Sequence, residues 1–271
     1  MDKLIQTLIS GLSLGSIYAL IALGYTMVYG IAKMLNFAHG DIIMVGAYAV
    51  ITAVFTMGLP PFIAILISIA LCALLGIVIE FLAYRPLRQA QPLAVLITAI
   101  GVSYLLQNLA LLIYGSEQKA FPTIVALPTV HIGGVYIDGI TLATLVVTAV
   151  IMVALSLFIN KTRMGKAMRA VSEDKEAAEL MGISVNRTIT VTFAIGSALA
   201  GVAAIFYGAA YTYIRPTTGA MLGGILLGVI EQLSKTYIST LWADAIVFGV
   251  LVVVLVVKPT GLLGKKISEK V

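Results

Sequence analysis

Asn36, His39 and Asp41 fall between two apolar runs, and Gly40 interrupts the helix beside them. An amide, an imidazole and a carboxylate this close can pair with one another, His39 with Asp41 first of all. They can also meet a polar solute where a broken helix leaves backbone amides free. At membrane depth the carboxylate alone costs about 2.5–3.5 kcal/mol, so it persists there only when paired or beside water. An ordinary cytoplasmic turn between spans, with nothing buried, fits the same residues. Neither reading makes a catalytic or metal site, because the other histidine, His131, belongs to a separate loop and no ligand spacing is present.

The second polar group is the run Lys161–Arg187, KTRMGKAMRAVSEDKEAAELMGISVNR, which holds ten of the chain's 29 charged side chains. Ser172 fits a helix N-cap, with Glu173 and Asp174 in a first turn that the helix dipole favours. Gly182 fits a left-handed terminator. Between them Ala177, Ala178 and Met181 share one face at three- and four-residue spacing, and Glu176 adds an acidic flank. The pattern predicts a short surface helix with a small-residue apolar docking face. A solvated amphipathic connector fits the same pattern.

The elements that must position these groups are apolar almost throughout. Hydrophobic residues make up 61% of the chain and charged residues 11%, and the mean hydropathy is +1.08. Such a chain has too little polar surface for a water-soluble globule, so lipid is its solvent. The apolar runs lack strand alternation, which selects helices over a barrel. Eight helices are predicted: Leu4–Gly30, Gly40–Met57, Pro61–Tyr84, Leu93–Tyr114, Ile140–Asn160, Thr188–Tyr213, the short Thr218–Leu233, and Leu241–Val257. The fold class is therefore an all-α polytopic membrane bundle of one domain, residues 1–271, with a broken or re-entrant helix. Its first segment reads as a retained span and not as a signal peptide. Cys72 lies inside an apolar run and reads as a packing residue, so no disulfide forms within the chain.

The net charge of +5 reports membrane orientation and not nucleic-acid binding. Lys161–Arg187 carries six basic residues and Arg85–Pro92 carries Arg85 and Arg88, so both are expected in the cytoplasm, with Gly115–Gly139 outside. The tail, with Lys258, Lys265, Lys266 and Lys270, should also be cytoplasmic. Three spans after the Lys161–Arg187 loop would put it outside, so either one segment does not cross or a spanning piece is absent. Glu80 is expected to reach toward Arg85 and Arg88. Gln107 and Asn108, in the middle of a span, read as interhelical glue, and Gly11–Gly15, Gly219–Gly223 and Gly224–Gly228 as close-packing glycine pairs. LLGIVIE at Leu74–Glu80 is echoed by LLGVIE at Leu226–Glu231, a faint internal repeat.

EAAELMG, Glu176–Gly182, resembles the EAA-type coupling loop of ABC-importer permeases, in which this short helix sits in a cleft of the ATPase subunit. More widely, Gly24–Tyr48, Arg169–Ile183, Phe193–Ala204 and Lys258–Gly264 resemble the membrane permease of the branched-chain amino-acid ABC importers. The resemblance implies a non-enzymatic permease subunit of an ATP-driven importer in the cell inner membrane. Glu176, Ala177, Ala178, Met181 and Gly182 would then form the ATPase-coupling loop, and Asn36, His39 and Asp41 would border the substrate path. No cofactor belongs to the chain itself: it has no P-loop, and ATP is bound by partner subunits. The partners implied are two ATP-binding subunits, a second related permease and a soluble substrate-binding protein. One departure stands out, since about twenty residues that the family carries near Gly219, enough for one span, are absent. Urea or short amides as cargo, and an ATP-independent secondary carrier, are the competing expectations.

Overall fold

The structure is a computed structural model that describes residues 2–218, except 89, 125–127 and 133–134. Its helices are α1 (Asp2–Ala32), α2 (His39–Ile51), α3 (Pro61–Ile79), α4 (Pro92–Tyr114), α5 (Gly139–Lys161), α6 (Arg163–Glu173), α7 (Lys175–Leu180) and α8 (Val185–Tyr211). The α2 helix runs on through a π-helical turn to Thr56, and α3 through a π-helical turn and a 3-10 turn to Leu87. Among the described residues six helical segments are long and apolar enough to cross a membrane, namely α1 to α5 and α8. This is an all-α polytopic membrane bundle. The predicted helix Thr218–Leu233 beyond its first residue, the helix Leu241–Val257, the second repeat copy, the pairs Gly219–Gly223 and Gly224–Gly228, and the lysine-rich tail lie outside the described residues.

Prolines open α3 and α4 at their first turns, where the missing N–H costs nothing. The core is organised around α8, which packs against α1, α2 and α3. Its close crossings rely on missing side chains. A Cβ on Gly24 of α1 would lie 2.8 Å from the Gly196 carbonyl oxygen of α8, and one on Gly201 would lie 2.9 Å from the Ile69 Cα of α3. The expected pair Gly11–Gly15 has open space around both residues and makes no such crossing among the described residues. Cys72 is buried, as expected, with its thiol 3.5 Å from the Ile42 carbonyl. α4 and α5 are mostly exposed, whereas α2 and α8 are mostly buried.

The connection Gly115–Gly139, read from sequence as a plain loop, contains strands. β2 (Val130–Ile132) and β3 (Val135–Ile137) form an antiparallel hairpin. β1 (Lys119–Ala120) pairs antiparallel with β4 (Tyr213–Ile214), tying this loop to the C-terminal end of α8. α8 stops at Thr212, whose φ of 61° is left-handed, and the Thr212 carbonyl accepts the Phe121 N–H at 2.7 Å.

Candidate functional site

α1 ends where Lys33 adopts a φ of 57°, in the left-handed region that a lysine seldom visits. Residues 33–38 are not helical, and the His39 N–H closes a turn onto the Asn36 carbonyl at 3.2 Å as α2 begins. The His39 ring lies against Gly24, eight residues before the end of α1. At 1.5 Å rise per residue, that places the ring roughly 12 Å inward along the α1 axis. The chain therefore leaves α1 at one end of the bundle and re-enters before α2 starts.

The polar side chains of this break are buried: Asn36 is 1% exposed, His39 2% and Asp41 0%. Asn36 Oδ1 accepts from the Tyr84 hydroxyl of the α3 extension at 3.1 Å, while its Nδ2 has no partner among the described residues. Neither His39 ring nitrogen completes a hydrogen bond of good geometry among them, although the ring faces the Ile21 backbone of α1, and it meets Tyr25 edge-on at 6.3 Å. Asp41 accepts from Ser103 Oγ and, at 3.0 Å, from Gln107 Nε2, both in the middle of α4. The expected His39–Asp41 pair does not form. Two positions along a helix point to nearly opposite faces, so His39 turns to α1 and Asp41 to α4. Gln107 is indeed interhelical glue, but its partner is the buried carboxylate. Among the described residues Asn108 bonds the Tyr104 carbonyl of its own helix, at 2.7 Å.

In the Lys161–Arg187 loop, Thr162 caps α6 by accepting the Gly165 N–H at 2.9 Å. The cap of α7 is Asp174, whose Oδ1 accepts the backbone N–H groups of Glu176 at 2.8 Å and Ala177 at 3.0 Å. Ser172, expected as the cap, sits in the last turn of α6 and donates to the Arg169 carbonyl at 2.7 Å. The helix starts two residues later than expected because a carboxylate at Asp174 accepts from two N–H groups at once. Gly182 does terminate α7, at φ 80°, with its N–H on the Glu179 carbonyl and the Ile183 N–H on the Ala178 carbonyl.

The docking face also differs from expectation. Ala178 is 3% exposed and turned into the protein, whereas Leu180 and Met181 are 88% and 83% exposed. Glu176, Ala177, Glu179 and Gly182 are exposed too. The outward apolar set is thus Ala177, Leu180 and Met181, which are neighbours at three- and four-residue spacing. Leu180 was missed from sequence, although its position three residues after Ala177 was visible.

Two contacts anchor the loop to the bundle. Lys175 Nζ donates to the Ala32 carbonyl, the last of α1, at 2.9 Å, filling an acceptor left open at a helix end. Burial, helped by the charges of Arg88 and Lys33, holds the Lys175 amine below the usual lysine range. The second anchor is Glu80, fully buried at the end of α3. It pairs with Arg88 and accepts from Thr190 Oγ1 of α8 at 2.7 Å, and Arg88 also donates to Asn186. Arg85, the other expected partner, lies over the Phe81 ring at 5.2 Å. The sequence named the Glu80–Arg88 pair but not its attachment to the first turns of α8, which no local pattern encodes.

Residues 7–220 match the family described as the permease component of the branched-chain amino acid transport system. The chain is 41% identical to the high-affinity branched-chain amino acid transport system permease protein BraD of Pseudomonas aeruginosa, over 98% of each chain. It is 39% identical to LivH of Escherichia coli K12, a permease protein of the same description, over 98% of this chain and 97% of that one. A probable branched-chain amino acid transport permease of Methanocaldococcus jannaschii is 26% identical over 92% of this chain and 89% of its own. The Pseudomonas alignment runs over 300 positions, more than the 271 residues of this chain, so that relative carries stretches with no counterpart here. No solved structure matches the chain.

Proposed function

The chain belongs to the family of branched-chain amino acid transport permeases, and from that premise we propose that it is the membrane subunit of an ATP-driven ABC importer for branched-chain, hydrophobic amino acids. Its place is the inner membrane, as a multi-pass protein. Two ATP-binding subunits supply the energy, a second related permease completes the pore, and a soluble binding protein delivers cargo from outside. The chain contributes no ATP site of its own. The observation that carries this reading is the outward apolar face of α7, whose cap, terminator and exposed Leu180 and Met181 suit insertion into a partner's cleft. Glu176, Ala177, Met181 and Gly182 form the coupling surface with Leu180, and Ala178 seats the helix from behind.

Closure of the ATP-binding subunits would push α7 as a rigid body. Lys175 would carry that push to the end of α1, and through the 33–38 segment to Asn36, His39 and Asp41 beside the substrate path. The unpartnered nitrogens of His39 and Asn36 are the natural receivers of a polar group passing that point. Positive-inside counting puts the basic loop in the cytoplasm. α1, α3 and α5 then end on that side, and α2, α4 and α8 begin there.

The test is reconstitution. Co-expression with candidate ATP-binding subunits and mild-detergent purification should yield one assembly, which imports radiolabelled leucine, isoleucine or valine into proteoliposomes only with ATP and the binding protein. Uptake without ATP at fixed membrane potential, or uptake of urea but not leucine, would overturn the reading. The chain forms one permease domain over 1–271, and we place the stretch it lacks near residue 219. Inserting the corresponding stretch of the Pseudomonas relative there should raise uptake at equal membrane abundance; no gain would reject that placement.

A further inference from the structure

α6 is a basic amphipathic helix laid across the ends of two spans. Its inward residues are Gly165, Met168 and Val171, and its outward residues Arg163, Lys166 and Arg169 repeat every third position, with Lys161 just before them. Between α6 and the last turns of α1 and α5 lies a groove of about 300 Å³. Its walls are Leu23, Met27 and Ile31 from α1 and Leu155 and Ile159 from α5. Arg169 and Ser172 stand where α6 closes it. The Arg169 guanidinium is steadied by the Asn160 side-chain oxygen at 2.6 Å.

The position of the groove selects its occupant. α1 and α5 both end beside it, so it opens where two spans emerge on the basic, cytoplasmic side. Walls that are mostly apolar, with the Thr26 hydroxyl turned back onto the Ala22 carbonyl of its own helix, suit a hydrocarbon chain better than a hydrated solute. Arg169 at the rim, with Lys166 and Arg163 exposed farther along the same helix, suits a negative headgroup at the surface of the inner leaflet. Both halves of an anionic phospholipid are matched in the right order, hydrocarbon inward and charge outward.

We infer that this groove binds an anionic phospholipid of the cytoplasmic leaflet, with an acyl chain between α1 and α5 and its phosphate on Arg169. Because α6 runs through Asp174 directly into α7, a bound lipid would fix the platform from which the exposed α7 face projects. The inference needs only the membrane orientation and holds whatever the cargo.

The purified assembly containing the full chain, in mild detergent, is titrated with phosphatidylglycerol or phosphatidylcholine of identical acyl chains, and bound lipid is counted by native mass spectrometry. Phosphatidylglycerol should be preferred about fivefold or more, the factor expected from one basic residue at an anionic surface. Arg169→Gln, on an exposed side chain, should bring the two lipids close to parity, and Ile159→Trp should displace both by filling the groove. Equal binding of the two lipids by the unmodified protein would overturn the inference. So would a preference that survives Arg169→Gln in a monodisperse, helical protein, even if Ile159→Trp fails to fold. Arg169-dependent binding of millimolar inorganic phosphate with no lipid retained would mark a free-anion site instead. Loss of an ATP-binding subunit in Arg169→Gln with lipid binding unchanged would mark the basic row as a protein contact, and the lipid site would again fall.

Discussion

Residues 33–41 bury an amide, an imidazole and a carboxylate, while residues 174–182, at the water surface, expose a leucine and a methionine almost completely. Each region has inverted the usual arrangement of side chains. A polar group withdrawn from water and left without a partner costs about 1–3 kcal/mol, so the bonds of Asp41 to α4 are needed and the free nitrogens of His39 and Asn36 carry a penalty. Apolar side chains in water cost less individually and signal a missing partner when they cluster. The first region thus reads as a place where something polar passes, and the second as a place where something apolar docks. Lys175, reaching from the start of α7 to the end of α1, joins the two.

The largest effect is expected from spoiling the exposed face. Leu180→Asp combined with Met181→Asp should weaken association with the ATP-binding subunits roughly thirtyfold or more, since even one buried interface anchor is worth about 2 kcal/mol or above. Thermal stability of the isolated permease should stay unchanged, because both side chains already face solvent. Pull-down at graded concentrations measures the association, and normal binding by this variant would remove the docking reading.

Next comes the buried region. Asp41→Ala deprives Ser103 and Gln107 of their acceptor, at about 1–3 kcal/mol, and should cut uptake roughly tenfold or more while abundance falls far less. Association with the ATP-binding subunits should be untouched, which separates the two regions. A cysteine at position 41 that reacts fully with an impermeant thiol reagent from the cytoplasm would restore the plain-turn interpretation.

A pair of alanine substitutions sharpens the contrast inside α7. Ala178→Trp should destabilise the permease by about 1–3 kcal/mol through overpacking against its own body. Ala177→Trp, one residue earlier and exposed, should leave the melting temperature unchanged and impair ATPase coupling. Reversed outcomes in a detergent thermal-shift assay would mean that the helix is rotated from its placement here.

That contrast also marks what could be read from the sequence. The six described spans, the terminator Gly182 and the short helix before it were legible, because apolar run length and glycine placement act locally. The break expected at Gly40 falls instead at residues 33–38, and Gly40 is helical inside α2. The direction in which α7 presents its residues was not legible. Ala177 and Ala178 are chemically identical, and only packing on the bundle decides which one is covered. The His39–Asp41 pairing failed for a reason that helical geometry already contained, whereas Ser103 as a partner of Asp41 required knowing that α4 lies beside α2. The strands of the Gly115–Gly139 connection were missed because two- and three-residue strands have no periodicity to detect.

The smallest effect concerns the link between the two regions. Lys175 is held below its ordinary value of 10.5, first by burial and then by Arg88 and Lys33, so at neutral pH its charge opposes the folded arrangement even as its N–H groups serve the Ala32 carbonyl. Between the lowered folded value and 10.5 the unfolded chain binds more protons than the folded one at this site, and stability therefore rises with pH. The penalty is fully present below the folded value and relieved above it, while the neutral amine still donates to Ala32. Relative to Lys175→Met, which has neither the charge nor the bond, the unmodified permease should gain melting temperature as pH is raised from neutral toward 10. At neutral pH the same substitution should lower substrate-stimulated ATPase activity more than it lowers docking, since the α7 face is intact and only its tie to α1 is cut. A melting-temperature difference that stays flat across this range, with coupling unimpaired, would show that Lys175 is a solvated side chain and that the push on α7 reaches the membrane by another route.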